Sequence, residues 1–316
     1  MPGRLVDRVA IRMINLAASR RAARYLPRRV RNGLFGGLHD RVKGRSLVAV
    51  ARSRDGVRLH CDSRDVIQRF MLVFGVWEPG VTAAIRAVLR PGDTFVDIGA
   101  NIGCHSLLAS RLVGPTGTVV AVEPFPEALS HLRSNIVLND ARNIVVIERA
   151  VATSPGRVSL FRGPQGNLGK TSRHGDASVG QEVSVPCGPL ADLLEPAHLG
   201  GRLLKVDVEG DENLVLGQLL DRAGHDKMPD ALLLEISTSE AREERGAGLQ
   251  RLRDLGYALY RVPNRYGLSF YLQNVWKTAF RFSVLDDVPD EQFDLLAVRS
   301  ETVDLLVPGS ISRTVV

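Results

Sequence analysis

A strand, a glycine turn and a helix follow one another at residues 95–113, and this succession constrains the fold more than any other feature. The apolar run from Phe95 to Ile98 predicts a strand, Gly99 and Gly103 predict a tight turn, and leucines at helical spacing follow. Such a turn presents backbone N–H groups and the positive end of a helix to an anionic or zwitterionic ligand. The segment therefore predicts a ligand-binding edge of an α/β sheet.

Two polar residues accompany the turn. Asp97 lies near the carboxyl end of the predicted strand, and Asn101 lies between the two glycines. The resulting pattern differs from the dinucleotide fingerprint, in which a further glycine lets a pyrophosphate approach. It suits a ligand that carries both an ammonium group and a carboxylate. The alternative is that the glycines serve only the tight packing of a strand on a helix.

Strands and helices alternate along much of the remaining chain, which favours a parallel sheet with helices on both faces. Leu203–Val208 and Ala231–Ile236 are predicted strands that precede helical patterns. Tyr257–Val262 and Phe293–Val298 have no long helix between them, which predicts a terminal antiparallel pair. Pro79 and Gly80 are expected to separate two leading helices. The predicted domains are a basic helical extension (1–45) and a main domain (46–316), in which a leading segment (46–90) precedes the core (91–300).

Positive charge is concentrated at the N-terminus. Residues 1–45 hold eleven arginines and one lysine against two aspartates, a net charge of +10, so the rest of this +6 chain carries −4. Arg4, Arg8 and Arg12 recur every four residues beside an apolar face, which predicts a basic amphipathic helix. Its expected partner is an anionic membrane surface or an acidic protein. The alternative is an extension that packs one face on the main domain.

Several classes of protein and of site are disfavoured. No apolar run approaches the 18 or so residues of a membrane span, and Arg12 interrupts the one candidate core of a secretory signal. The three cysteines are far apart and form no metal-binding spacing. We therefore expect a cytoplasmic protein, peripheral at the membrane if the basic helix binds there. Nucleic-acid binding is not favoured, because few aromatic residues accompany the basic segment.

Acidic residues mark the carboxyl ends of four predicted strands, where open α/β sheets bind ligands. Glu123 follows Gly103 by 20 residues, the spacing at which a carboxylate accepts hydrogen bonds from a ribose diol. Lys205 and Asp207 would share one strand face, either as a site or as a structural ion pair. The acidic residues expected to converge, with Glu78 reaching the same edge from the leading segment, are Asp97, Glu123, Asp207 and Glu235.

Other candidate residues carry weaker signals. His105 begins the helix after the turn and is a candidate to face the ligand, or else a helix-packing residue. His174 lies in a glycine-rich polar loop at 163–180, which is either a lid or plain surface. The chain has neither a Walker lysine nor a Gly-x-Ser-x-Gly elbow, so nucleotide hydrolysis and acyl transfer are not favoured.

Five motifs, in order, resemble the FkbM-type S-adenosylmethionine-dependent methyltransferases over about residues 60–300. They are Trp77-Glu-Pro79, the turn at 97–103, Val122-Glu-Pro124, Asn135 with Asn139, and Lys205–Gly210 followed by Leu234-Glu235. The resemblance implies a Rossmann-like class I methyltransferase fold, with a mostly parallel seven-stranded sheet that has one reversed strand. It implies contacts of the cofactor's methionine end with Asp97, Gly99, Asn101 and Gly103, of its ribose with Glu123, and of its adenine with the neighbourhood of Ala150, with Glu78 as a further cofactor-binding residue.

The resemblance also implies O-methylation of a sugar, glycan, glycolipid or natural product. A hydroxyl is a poor nucleophile that benefits from a general base or a metal ion. Asp207 is the first candidate for either role, with Glu209 and His105 as further catalytic candidates and Glu235 as a second ligand for a divalent metal. One alternative is a methyltransferase that acts on RNA or another macromolecule, and the charge of −4 on the main domain disfavours RNA. The other alternative is a protein that binds the cofactor without transferring methyl.

Overall fold

The computed structural model describes residues 26–163, 167–174, 181–222, 228–238, 242–277, 280–305 and 311–312. The predicted helix with Arg4, Arg8 and Arg12 lies outside the described residues, as do 164–166 and 175–180 of the predicted polar loop.

Helices occur along the whole described chain. In chain order they are α1 (Arg28–Val42), α2 (Val66–Phe74), α3 (Pro79–Val88), α4 (Cys104–Val113), α5 (Pro126–Asn139), α6 (Leu190–Leu193), α7 (Pro196–Leu199), α8 (Glu212–Asp221), α9 (Arg242–Asp254) and α10 (Leu268–Asn274). Short 3₁₀ helices cover Leu168–Lys170 and Ser300–Leu305.

Strands are short and belong to three sheets. In chain order they are β1 (Val48–Arg52), β2 (Arg58–Asp62), β3 (Thr94–Ile98), β4 (Thr118–Val122), β5 (Ile144–Ile147), β6 (Ala150–Val151), β7 (Gly156–Phe161), β8 (Glu182–Gly188), β9 (Leu203–Val206), β10 (Ala231–Ile236), β11 (Tyr257–Val262), β12 (Phe282–Val284), β13 (Phe293–Arg299) and β14 (Ile311–Ser312).

The main sheet has the predicted class I architecture. Its described strands lie in the order β5-β4-β3-β9-β10-β13-β11-β12-β14. Strands β5, β4, β3, β9 and β10 pair in parallel, and β13 is antiparallel to both β10 and β11. The seven-stranded core with one reversed strand and the antiparallel pair β11–β13 are therefore confirmed. Two short strands, β12 and β14, extend the sheet beyond that core.

Both faces of the sheet are buried, as its sequence pattern predicts. Val96 and Val120 pack with α8 on one face, whereas Phe95 and Val119 pack with α3 and α4 on the other. A strand covered on both faces reads as a continuous apolar run, and the polar residues that follow such runs then lie at one edge. This edge carries the candidate site.

Two predicted boundaries are wrong. The strand expected over Leu203–Val208 ends at Val206, and the backbone turns at Glu209, whose φ is 46°. Pro79 does not break a helix but begins α3, because the first helical position needs no N–H donor. Both errors fall on residues beside the site, where the backbone departs from regular geometry.

A small sheet, β6-β8-β7, was not predicted from the sequence. Strand β7 pairs antiparallel with β8 from Gly156 to Phe161, on the two sides of the glycine-rich loop. These strands are half exposed and interrupted by charged residues, so their alternation of apolar and polar residues is weak. The sheet holds the loop beside the main domain.

Helix α1 packs on the main domain through an aromatic cluster. Phe35 is fully buried and lies 6.1 Å from Phe74 and 4.7 Å from Trp276, ring centre to ring centre. The predicted boundary at residue 45 stays a prediction.

No single described helix is long and apolar enough to cross a membrane. Only α2 and α3 taken together, bent by 72°, reach that length and composition, and their side chains are mostly buried.

Candidate active site

A cavity of about 320 Å³ opens at the carboxyl ends of β3, β4, β9 and β10. This volume is at the lower end of the range for small-molecule sites. Of the residues predicted from sequence, its wall includes Glu78, Gly99, Asn101, His105, Glu123, Ala150, Asp207, Glu209 and Glu235. The tertiary structure therefore brings most of the predicted residues to one place.

The glycine turn lets two backbone segments approach closely, but three of its N–H groups are already hydrogen-bonded within the protein. The N–H groups of Gly99 and Ala100 both donate to the carbonyl of Val122 at 3.0 Å, and that of Asn101 donates to Glu123 at 2.7 Å. The expectation of bare N–H groups in this turn is therefore wrong for these three donors. Gly99 has φ of +85°, and a Cβ added to it would lie 1.7 Å from the carbonyl oxygen of Asp207. Only glycine lets the two segments approach so closely.

Asp97 and Gly103 do not line the cavity. Asp97 is buried behind the turn, where it accepts a 2.6 Å hydrogen bond from Ser106. Gly103 caps α4 and lies against Leu132, to which an added Cβ would come within 2.6 Å. Both residues hold the strand, the turn and the helix together. The resemblance implied that each contacts the ligand directly, and the lining of the cavity does not support such a contact.

Glu123 occupies the position predicted for a ribose-binding carboxylate. It follows β4, is 6% exposed, and accepts hydrogen bonds from the N–H groups of Asn101 at 2.7 Å and Phe125 at 2.8 Å. Burial raises the pKa of Glu123 to about 7, although these two donors favour the charged form. The backbone thus holds this carboxylate rigidly in the cavity wall.

One buried lysine lies among several carboxylates. The Nζ of Lys205 is 2.9 Å from Asp207 and 3.4 Å from Asp97. Burial by itself lowers the pKa of Lys205, but Asp207 and Asp97 raise it by more, so the lysine stays charged. Of the two predicted interpretations, a structural ion pair and a site, the structure supports both, because Lys205 and Asp207 also line the cavity.

Glu235 is held by residues from late in the chain. Its Oε1 accepts a 2.6 Å hydrogen bond from the hydroxyl of Tyr266 and another from the side chain of Gln292. Burial raises the pKa of Glu235 to about 10, with Asp207 and Asp294 adding to the shift, so Glu235 is protonated at neutral pH. Burial likewise raises the pKa of Glu78. The far end of the cavity is therefore acidic but largely uncharged.

The two remaining catalytic candidates differ in their suitability as bases. Burial, with the charge on Lys205, lowers the pKa of His105 to about 3, so its ring is neutral and a weak base. Its Nε2 lies 3.8 Å from Glu78 and has no hydrogen-bond partner. Burial, followed by the charges on Asp207 and Glu212, raises the pKa of Glu209 to about 7, close to the value that suits a general base.

The metal expectation gains no support. In the part of the chain that the structure describes, no group of three or more His, Cys, Asp or Glu side chains is arranged to hold a metal ion. The described cysteines are all free thiols.

The cavity wall has one feature that was not predicted from the sequence and one for which the sequence left two interpretations open. Trp77 and Tyr266 stack with ring centres 5.7 Å apart at an angle of 26°, and nothing near Tyr266 in the sequence signals this role. Residues 167–173, which we call the strap, also line the cavity. Asp65 accepts a 2.8 Å hydrogen bond from the N–H of Leu168, and Arg173 forms two bonds to Asp211 at 2.7 and 2.6 Å. This part of the glycine-rich loop therefore covers the site, as the lid interpretation predicts.

Comparisons with known proteins agree with the geometry. Residues 97–259 match the methyltransferase FkbM domain. The 31-O-demethyl-FK506 methyltransferase FkbM of Streptomyces tacrolimicus is 31% identical over 162 residues, which cover 42% of this chain and 62% of that protein. A protein-L-isoaspartate O-methyltransferase of Aeropyrum pernix is 37% identical over 128 residues, 40% of this chain and 44% of that protein. The chain thus spans less than two thirds of either relative.

A solved structure of methyltransferase FkbM from Methylobacillus flagellatus is 18% identical, with a TM-score of 0.41, and the match covers 73% of this chain and 52% of that one. The family match extends over half of the chain and includes the turn, Glu123, the Lys205–Gly210 segment and Glu235. The chain therefore belongs to the FkbM family of S-adenosylmethionine-dependent methyltransferases.

Proposed function

We propose that this protein transfers the methyl group of S-adenosylmethionine to a hydroxyl oxygen of a sugar, glycan, glycolipid or natural product. The observation that carries the proposal is a single cavity in which the fixed carboxylate of Glu123 and the group Asp207, Glu209 and Glu235 line the same wall. One end of such a cavity suits a nucleoside, and the other suits an acceptor that must lose a proton.

The residues around Glu123 fit the cofactor. Its buried carboxylate accepts hydrogen bonds but has none to donate when ionised, which suits the two hydroxyls of a ribose. Phe125, Ala150 and Leu160 add an apolar surface of the kind an adenine ring packs against. Asn101 and the backbone at Gly99 are the residues we assign to the methionine end.

The bound cofactor supplies an electrophilic methyl group on a sulfonium. Positioning of the two reactants contributes much of the rate in such a displacement, and a general base adds about 10²–10⁴-fold. We assign proton acceptance to Asp207, which lines the cavity and is held by Lys205. Glu209, two residues further on, is the second candidate.

The opposite wall supports a hydroxyl-bearing acceptor. Trp77 and Tyr266 offer ring surfaces, while Gln292 and protonated Glu235 offer hydrogen bonds without fixed charge. The names of the relatives from Streptomyces tacrolimicus and Aeropyrum pernix describe O-methylation, which favours oxygen as the methyl acceptor here as well.

Calorimetry with S-adenosylhomocysteine tests the cofactor assignment. We expect micromolar binding by the wild type and a loss of about 10- to 100-fold in Glu123→Gln, because two charge-assisted hydrogen bonds of about 1.5–3 kcal/mol each become weaker neutral ones. The matched control is Glu127→Gln, an exposed glutamate at the start of α5. Absence of wild-type binding at high micromolar ligand would refute the assignment.

Methyl transfer from labelled cofactor into small-molecule and glycolipid extracts tests the reaction. Asp207→Asn is expected to keep S-adenosylhomocysteine binding within about threefold and to lose about 10²–10⁴-fold in turnover. Glu209→Gln distinguishes the two candidate bases. The group that accepts the proton sets the acidic limb of the rate–pH profile, so this variant should alter that limb only if Glu209 is the base. Cofactor binding without transfer to any extract would favour a protein that only binds the cofactor.

A further inference from the structure

Helix α1 presents an apolar stripe to solvent. Val30 and Leu34 are spaced by four residues and are 55% and 39% exposed, so they lie on one side of the helix. Leu26, which is 36% exposed, comes just before the helix begins. The adjoining side is fixed on the main domain by Phe35, Leu38 and Val42, all of which are buried. The stripe thus belongs to a helix that already has its tertiary partner, and its exposure is not the result of a missing core contact.

Basic residues flank this stripe. Arg28, Arg29, Arg41, Lys43 and Arg45 are exposed, and no carboxylate among the described residues forms an ion pair with them. Residues 26–45 hold six basic side chains and one aspartate, a net charge of +5. The rest of the chain beyond residue 45 carries −4. Exposed positive charge therefore lies at both ends of α1, and the exposed aliphatic side chains lie between.

Helix α1 is joined to the cavity by one layer of aromatic rings. Phe35 contacts Phe74 of α2, and Phe70 of the same helix lies 6.0 Å from Trp77, ring centre to ring centre. Trp77 lines the cavity, as do Val66 and Ile67 at the start of α2. A surface that binds α1 would thus hold the acceptor wall close to it.

We propose that the surface formed by Leu26, Val30, Leu34 and the basic residues at the two ends of α1 docks on an anionic lipid membrane. Aliphatic side chains flanked by arginine and lysine are the composition that enters the boundary between headgroups and acyl chains. A nucleic acid is less suitable, because the exposed stripe has no aromatic side chain on which bases could stack. The proposal goes beyond the proposed function and leads to a lipid-linked acceptor as the substrate brought to the cavity.

Vesicle co-sedimentation of the full chain tests this proposal, with vesicles of phosphatidylcholine alone or with about one third phosphatidylglycerol. We expect binding to the anionic vesicles only, weakened by salt because surface charges are screened within about 10 Å at 0.1 M. Arg28→Gln with Arg29→Gln should weaken binding by about 25-fold, at about fivefold per charge. Val30→Asp with Leu34→Asp should weaken it by at least about 10-fold.

The controls use exposed residues elsewhere on the surface. Val137→Asp changes an 80% exposed valine on α5, and Arg142→Gln changes an exposed arginine that follows the same helix. Both should bind vesicles as the wild type does, and thermal unfolding checks that every variant is folded. Equal binding to neutral vesicles, or α1 variants that bind like the wild type, would overturn the proposal.

A third arm measures binding of a homopolymer RNA. If RNA binds more tightly than the anionic vesicles, and Val30→Asp with Leu34→Asp leaves that binding intact, this surface binds nucleic acid and the proposal is wrong. None of these measurements needs cofactor or acceptor. Failure of vesicle binding therefore leaves the methyltransferase proposal untouched, and failure of cofactor binding leaves the membrane proposal untouched.

Discussion

At the scale of single residues, the surroundings of a side chain decide its chemistry more than its identity does. Glu123 and Glu127 are four positions apart. Burial raises the pKa of Glu123 to about 7, whereas an ion pair with Arg162 lowers the pKa of the exposed Glu127. The first is suited to a role that changes with pH near neutrality, and the second only stabilises the surface weakly.

Binding of S-adenosylhomocysteine should strengthen as pH rises from about 5.5 to 7.5. The ionised form of Glu123 accepts from both ribose hydroxyls, so below its pKa of about 7 each unit of pH is expected to change affinity by up to about tenfold. Calorimetry across this range measures the slope. Glu123→Gln should flatten it, whereas Glu209→Gln, which removes the other glutamate with a pKa of about 7, should retain it. An unchanged slope in Glu123→Gln would contradict the ribose role.

Gly99→Ala should destabilise the fold by at least about 3 kcal/mol, because the new methyl group would overlap the carbonyl of Asp207 and the residue has positive φ. Gly256→Ala is the control. Its φ is +82° with nothing within 4 Å of an added Cβ, so it should cost only about 1–2 kcal/mol. Urea unfolding compares them, and equal losses would show that steric overlap at residue 99 is unimportant.

At the scale of elements, ends and connections carry the site. Strand β9 ends at Val206, and the positive φ of Glu209 turns its carboxylate-bearing segment along the cavity. The left-handed conformation is costly for residues other than glycine and is found preferentially at functional sites. Glu78, Asn101 and Glu209 all have it, and all three line the cavity.

The strap should contribute to ligand retention more than to stability. Arg173→Gln removes the two bonds to Asp211 and is expected to lower S-adenosylhomocysteine affinity by about 3- to 10-fold and to speed proteolytic cleavage near the strap. The free energy of unfolding should change by less than about 1 kcal/mol, since the pair is partly exposed. Arg251→Gln, which removes a surface pair with Asp221, should change neither property. Identical affinity in Arg173→Gln would contradict a lid role.

At the scale of the whole molecule, the site is a region where buried ionisable groups are concentrated. Several buried carboxyl groups lie near the buried Lys205, and burial raises the pKa of Glu78, Glu235 and Asp294. Removal of Lys205 would leave buried carboxylates without a counterion, a change that costs several kcal/mol in other proteins.

Stability of the ligand-free protein should fall as pH rises above 6. Glu123, Glu209 and Asp294 have folded-state pKa values of about 7, and Glu235 one of about 10, all above their unfolded values of about 4. A raised folded-state pKa stabilises most below the unfolded value, and the gain is lost as pH rises through the folded value. Scanning calorimetry should show Tm falling by at least about 2–4 °C between pH 6 and 8, equivalent to about 1 kcal/mol.

The fall should continue towards pH 10, and Glu235→Gln should make it shallower over the whole range, because only the folded state keeps a proton on Glu235 between the unfolded and folded pKa values. The carboxyls whose pKa is lowered, such as Asp62 and Glu127, act in the opposite direction but only below about pH 4.5. A Tm that is flat or rises between pH 6 and 8 would contradict the protonated state of the cluster.

Local sequence patterns are sufficient to predict the class of fold and one side of the site. Apolar runs that end in acidic residues must place those residues at one edge of a parallel sheet, so Glu123, Asp207 and Glu235 converge there. Glycine is needed at positions 99 and 103 because a tight turn follows the strand there. Such a turn depends on neighbouring residues and can therefore be recognised in the sequence.

Which of these residues face the cavity depends on tertiary packing. Asp97 lies in the predicted strand, yet packing turns it towards Ser106 and Lys205, and the N–H groups of the turn are taken by Val122 and Glu123. Tyr266 and Gln292 reach Glu235 from 31 and 57 residues away. Local patterns predict strands and turns because those depend on neighbouring residues. The partners of a buried polar group depend on how distant segments pack, which no local pattern records.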